Sequence, residues 1–150
     1  MIKLLWIDDN LDHDLAEFRI ALRMHGGISP DFARNASEAY ARLLKKTYDV
    51  VIFDLRLPPG PDDMWDDLYK AGEQKFGFVL LEKIHLNTGS EGERFNINGT
   101  KFGVFSIEPS LENSKLFQPP INLLPDNFKE KVDAVDKNDF IKFILNVNHS

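Results

Sequence analysis

Two short runs of large apolar residues, each closed by acid, set the pattern of this chain. Ile2 to Ile7 reads IKLLWI and ends at Asp8-Asp9; Val50 to Phe53 reads VVIF and ends at Asp54, shortly before Pro58-Pro59-Gly60. Runs of this length, rich in β-branched residues and followed by turn signals, predict buried strands. Between them, Leu11, Leu15, Phe18 and Leu22 share one helical face. Asn10 or Asp9 is positioned to cap that helix and Gly26-Gly27 to stop it. Ile28 to Ala33, kept short by Pro30, predicts a second strand. Asn35-Ala36-Ser37-Glu38 then opens a helix with Ala39, Tyr40, Leu43 and Leu44 on its buried side, ending near Lys45-Lys46. Strand and helix alternate, which is the βα rhythm of a parallel sheet.

Beyond Gly60 the rhythm loosens. Residues 60–76 are too polar for core and too long for an ordinary connection, 87–101 are rich in Gly and Asn, and 108–125 carry most of the remaining prolines; all three predict irregular insertions within one domain spanning 1–150. Phe76 to Leu86 predicts a helix, and Phe102 to Ile107 a fourth strand with Ser106 near its end. A helix from Asp126, with Phe128, Val132 and Val135 on one face, and a fifth strand over Asp139 to Val147 complete the reading. It leaves no last helix. Asp62, Asp63, Asp66 and Asp67 fit no metal-loop spacing and read as a solvated loop, with Trp65 as its anchor.

Composition narrows the function classes. With 150 residues, 43% of them apolar and 28% charged, the chain has the makeup of an ordinary globular domain. No cysteine is present, so disulfides, thiolate metal sites and a cysteine nucleophile are excluded. A net charge of -6 without a Lys/Arg cluster argues against nucleic acid and anionic membranes as partners. The amino terminus, MIKLLWIDDN, lacks a signal-peptide core and no run reaches transmembrane length, so the expected location is cytoplasmic.

The chemistry gathers at strand ends. If the first and third strands are neighbours, Asp8, Asp9 and Asp54 crowd together at the carboxyl rim, where ligands of open α/β sheets bind. Like charges so close favour a hard divalent cation with oxygen ligands, most simply Mg²⁺. Ser106 would add a hydroxyl and Lys142 an ammonium, and carboxylate, metal, hydroxyl and cation together are what phosphoryl transfer requires.

At WIDDN and VVIFDLRLPPG the chain resembles the receiver domains of two-component response regulators. The resemblance covers Met1 to Gly60 and FGFVLLEKI, and it weakens beyond Phe102. It implies a flavodoxin-like (CheY-like) doubly wound, five-stranded parallel sheet in a three-layer α/β/α arrangement. Asp54 would be the phosphoacceptor, and Mg²⁺ would be held by Asp8, Asp9, Asp54 and the backbone carbonyl of Arg56. Ser106 would be the switch hydroxyl and Lys142 the phosphate-pairing lysine, Gln118-Pro119 being the competing alignment for the lysine position. The implied partners are a sensor histidine kinase or phosphotransfer protein upstream and a protein partner downstream. The alternative is a pseudo-receiver that holds a partner without phosphorylation, favoured by the missing Lys-Pro and last helix. A phosphatase of the haloacid-dehalogenase type is disfavoured because Arg56 stands where that pattern needs a second Asp.

Overall fold

Side-chain alternation along the first strand decides how the layers form. β1 (Ile2–Ile7) sends Leu4 and Trp6 to one face of the sheet and Leu5 and Ile7 to the other, and all four are fully buried. A strand apolar on both faces must be covered on both, and that requires a central position in a parallel sheet. The computed structural model, which describes residues 1–86, 95–131 and 136–150, puts it there. β1 lies between β2 (Ile28–Ala33) and β3 (Val50–Phe53), followed by β4 (Lys101–Ser106) and β5 (Phe128–Glu130). All neighbours are parallel and the order is β2-β1-β3-β4-β5.

One face is covered by α1 (Ala16–Met24) and α5 (Lys137–Asn148). Leu22 from α1 and Phe140, Phe143, Ile144 and Val147 from α5 meet Leu4, Trp6, Val50, Ile52 and Phe105. The opposite face carries α2 (Ala36–Lys45) and α4 (Phe76–His85), whose Tyr40, Leu43, Phe76, Leu80 and Ile84 pack on Leu5, Ile7, Val51 and Phe53. In α2 the predicted cap is made: the Asn35 side chain accepts from the Glu38 amide at 2.8 Å. A short helix, α3 (Asp66–Lys70), belongs to the insertion after β3. Trp65 anchors it, 2% exposed, with its indole N–H donating to Ser37 Oγ at 3.1 Å and its ring against Tyr40 and Phe76.

Three sequence expectations change. The first helix opens at Ala16, not Leu11, because residues 9–15 form turns in which Leu11 is buried and the Asp8 carboxylate accepts the Asn10 amide. The apolar run expected as a fifth strand is helix α5: Phe140, Phe143, Ile144 and Val147 recur at helical spacing and Asp136 caps the start by accepting from the Asp139 amide at 2.8 Å. The fold therefore has its last helix. The helix expected from Asp126 is replaced by a single turn and strand β5; Val132 and Val135 lie outside the described residues, as do positions 87–94 of the second insertion.

Phe140 sits at the centre of the α5 face, with ring centroids 4.5 Å from Trp6 and 4.6 Å from Phe105. Phe140→Ala is expected to cost about 3–5 kcal/mol in urea unfolding, the range for emptying a fully buried aromatic site. A loss below about 1 kcal/mol would contradict this placement of α5.

Candidate functional site

Each parallel strand ends at the same rim, and four of the five deliver a polar group there. β1 runs into Asp8, whose side chain is fully buried, because its amide continues the ladder to Ala33 O at 2.9 Å. β3 runs into Asp54, 4% exposed, whose amide donates to Ile7 O at 3.0 Å. β4 ends on Ser106, fully buried, and its carbonyl accepts the Lys131 amide at 2.9 Å just past β5. That last backbone bond places Lys131 beside the two acids.

The Lys131 ammonium donates to Asp8 Oδ2 at 2.6 Å and stands 3.3 Å from Asp54 Oδ2, above the Phe105 ring at 5.4 Å. Ser106 Oγ donates to Asp54 Oδ1 at 3.3 Å. Asp54 is thereby met on one oxygen by a hydroxyl and on the other by a cation. Oxygens of Asp8, Asp9 and Asp54 all lie within 4.8 Å of one another. The structure thus brings Asp8, Asp9, Asp54 and Ser106 together as the sequence predicts.

Lys142 is not in that position. It lies on the exposed side of α5, lining a groove against Leu124 to Lys129, because the segment expected to be a strand is helical. The amine at the carboxylates comes from Lys131, which sequence reasoning missed. The sequence offers little signal for it: Phe128-Lys129-Glu130-Lys131 is one aromatic followed by three charged residues, without the alternation that marks a strand.

Three carboxylates against one ammonium leave two negative charges in excess when all are ionised. Burial, then repulsion from Asp54, pushes the Asp8 carboxyl up to about 6, and the same two causes raise Asp9. Burial works against the Lys131 ammonium, but the Asp8 and Asp54 charges outweigh it and raise its pKa, so the amine stays protonated. The donor set fits a hard divalent cation: three carboxylates from two loops, two of them buried, short of positive charge by the amount such an ion carries.

The backbone behind Asp54 is pinned from the other side. Phe76 and Gly77, in the first turn of α4, donate their amides to Leu57 O and Leu55 O at 3.2 and 3.1 Å. The approach is so close that a Cβ at Gly77 would collide with the Asp54 carbonyl. Only glycine lets the helix end reach that loop.

No protein-family model matches this chain, and no curated protein sequence does. Solved structures do. A CheY-like response regulator receiver domain from Methanospirillum hungatei superposes with a TM-score of 0.68 at 22% identity, covering 99% of this chain and 94% of that one. The non-phosphorylated HemR receiver domain from Leptospira biflexa gives 0.65 at 20% identity, covering 100% and 96%. The chemotaxis protein CheY4 of Vibrio cholerae gives 0.63 at 17%, covering 98% of each chain. The fold is the CheY-like, flavodoxin-type fold of response regulator receiver domains. Among the described residues no helix is long and apolar enough to cross a membrane.

The crowded acids make a pH prediction. A carboxyl raised above its usual 3.8 to about 6 takes up a proton on folding between those values, so metal-free stability should rise as pH falls from about 7 to about 5. The gain expected from Asp8 is about 1 kcal/mol in urea unfolding. Carboxyls held low by cations, such as Asp12 and Glu108, oppose this only in more acidic solution, below their ordinary values. Millimolar Mg²⁺ should flatten the rise and Asp8→Asn should reduce it by the share Asp8 contributes; a wild-type stability that falls over this window would refute the charge-crowding account.

Proposed function

We propose that this chain is a phosphorylatable receiver domain acting in two-component signalling, with Asp54 as phosphoacceptor. The observation that carries the reading is the Lys131 ammonium seated against Asp8 and Asp54 at the rim of a receiver fold, with Ser106 on the other Asp54 oxygen. An Asp54 carboxylate oxygen attacks the phosphorus of a phosphohistidine on a sensor histidine kinase or phosphotransfer protein. The new O–P bond gives an acyl phosphate, the P–N bond breaks, and the imidazole departs with the electron pair. Lys131 offsets charge on the phosphoryl oxygens, and Ser106 turns its hydroxyl from the carboxylate toward one of them.

Asp8, Asp9, Asp54 and the Arg56 carbonyl would hold Mg²⁺. When bound, it supplies the positive charge that the three acids lack and that an incoming phosphoryl group needs. The signal would pass through a downstream protein partner in the cytoplasm. The runner-up reading, a pseudo-receiver that binds a partner without phosphorylation, rests on a missing Lys-Pro and a missing last helix. Helix α5 removes the second support, whereas Lys131 is followed by Val132, so the Lys-Pro pair is still absent.

Acetyl phosphate with Mg²⁺ is expected to add one phosphoryl mass to the wild type and none to Asp54→Asn. Lys131→Ala should lower the yield at least tenfold, as expected for losing a buried cation that meets the transferred group, whereas Lys142→Ala should leave it unchanged. A wild type that gains no mass, alongside Mg²⁺-independent partner capture, would select the pseudo-receiver.

A further inference from the structure

A second cluster of charge stands directly above the site, and the proposed chemistry does not use it. Glu108 lies two residues past Ser106, and its own amide donates to Ser106 Oγ at 3.3 Å. Its side chain is only 8% exposed yet fully ionic, held by the Arg56 guanidinium and by the Lys75 ammonium at 3.6 Å. Arg56 comes from the loop that follows Asp54, and it also donates to Gln74 Oε1 at 3.2 Å. Lys75 immediately precedes α4 and also donates to Asn113 Oδ1 at 3.1 Å.

The cluster therefore ties three separate segments across the rim: the loop after β3, the end of the insertion that precedes α4, and the chain after β4. It is wired to the site through one hydroxyl, since Ser106 Oγ donates to Asp54 and accepts from Glu108. Two consequences follow from placing a phosphoryl group on Asp54. Ser106 turns toward it and gives up its present partners. The added charge is separated from the Glu108 backbone by the single Ser106 hydroxyl, so it repels the Glu108 carboxylate and competes with it for the guanidinium. Arginine suits such an exchange because its fork pairs equally well with a carboxylate or a phosphoryl group.

We propose that Arg56, Glu108 and Lys75 form an electrostatic latch over the rim, closed at rest and opened by phosphoryl uptake at Asp54. Opening frees Arg56 to meet the phosphoryl oxygens and releases the part of the insertion beyond the Trp65 anchor, residues 66–75, making it the part of the chain that reports the state of the site. The proposal rests on the receiver reading given above and assigns its regulation to residues outside the phosphate-binding set of Asp54, Ser106 and Lys131.

The test separates a latch from simple charge. Breaking it by Glu108→Gln is expected to speed modification by acetyl phosphate at least threefold at saturating Mg²⁺. Lys75→Gln should also speed it, although removing a positive charge from the rim would by itself repel the anionic donor and slow the reaction. Raising ionic strength from about 0.05 to about 0.5 M should bring the wild-type rate toward that of Glu108→Gln, because the partly exposed pairs are screened. Hydrogen exchange over 66–75 should quicken on phosphorylation in the wild type and already be fast in both variants. Wild-type modification with Lys75→Gln slower than wild type, or with exchange over 66–75 unchanged, would overturn the latch and leave the receiver reading standing. No modification of the wild type would end both. Should Glu108→Gln fail to fold, Lys75→Gln and the wild-type salt series decide the matter.

Discussion

The contact on which the rest of this rim depends is the one between the Lys131 ammonium and the carboxylates of Asp8 and Asp54. Two acids almost wholly removed from water cannot both stay ionised unless a cation shares their space. At 2.6 and 3.3 Å Lys131 supplies that cation, and the carbonyl of Ser106 fixes its backbone. Compensation is deliberately incomplete in the electrostatic sense: Asp9 adds a third charge that a single ammonium cannot match, and Asp8 is left raised to about 6. A site built in this way carries a surplus of negative charge, which separates it from an ordinary buried salt bridge.

Precision at the rim comes from the scaffold beneath it. Asp8, Asp54, Ser106 and Lys131 each follow the last residue of a strand or end it, and the strands are locked in register by parallel ladders. The same loops are then held from above. Gly77 allows α4 to take the carbonyls of the chain after Asp54, while Glu108 gathers Arg56 and Lys75 at the mouth. The lower contacts are backbone hydrogen bonds that any state of the site must keep. Among the upper ones, those at Glu108 are ion pairs between side chains, which can exchange partners without cost to the sheet.

The legible half of the site was the half carried by central strands. β1 and β3 are buried on both faces, so their sequences are continuous apolar runs, and the acids that end them stand out. β5 is an edge strand of three half-buried residues, Phe128-Lys129-Glu130, and a stretch so short and charged gives no periodic signal. The strongest apolar run near the carboxyl terminus, DFIKFILNV, then drew the strand assignment. Its spacing of Phe140, Phe143, Ile144 and Val147 was the evidence for a helix. From that one misplacement came both the wrong lysine and the missing last helix.

The link between β4 and β5 explains why an edge strand with so little core can still place a lysine so closely. A parallel crossover is ordinarily made by a helix that covers the sheet; here it is made by single turns. Leu116, Ile121 and Leu123 point into the same core as α4, and the Leu123 amide closes onto Leu116 O at 2.8 Å, so the connection packs like a layer despite its irregular backbone. At its far end the Asn127 side chain, 5% exposed, donates to Phe102 O at 3.1 Å and to Ser150 Oγ at 3.0 Å. β5 is thereby pinned to β4 just before the three residues of their ladder, and Lys131 follows them directly. Ser106 and Glu108 lie at one end of this connection and Lys131 at the other, so its packing sets the spacing between the hydroxyl, the Glu108 carboxylate and the ammonium. The irregular segment is thus a structural part of the site itself.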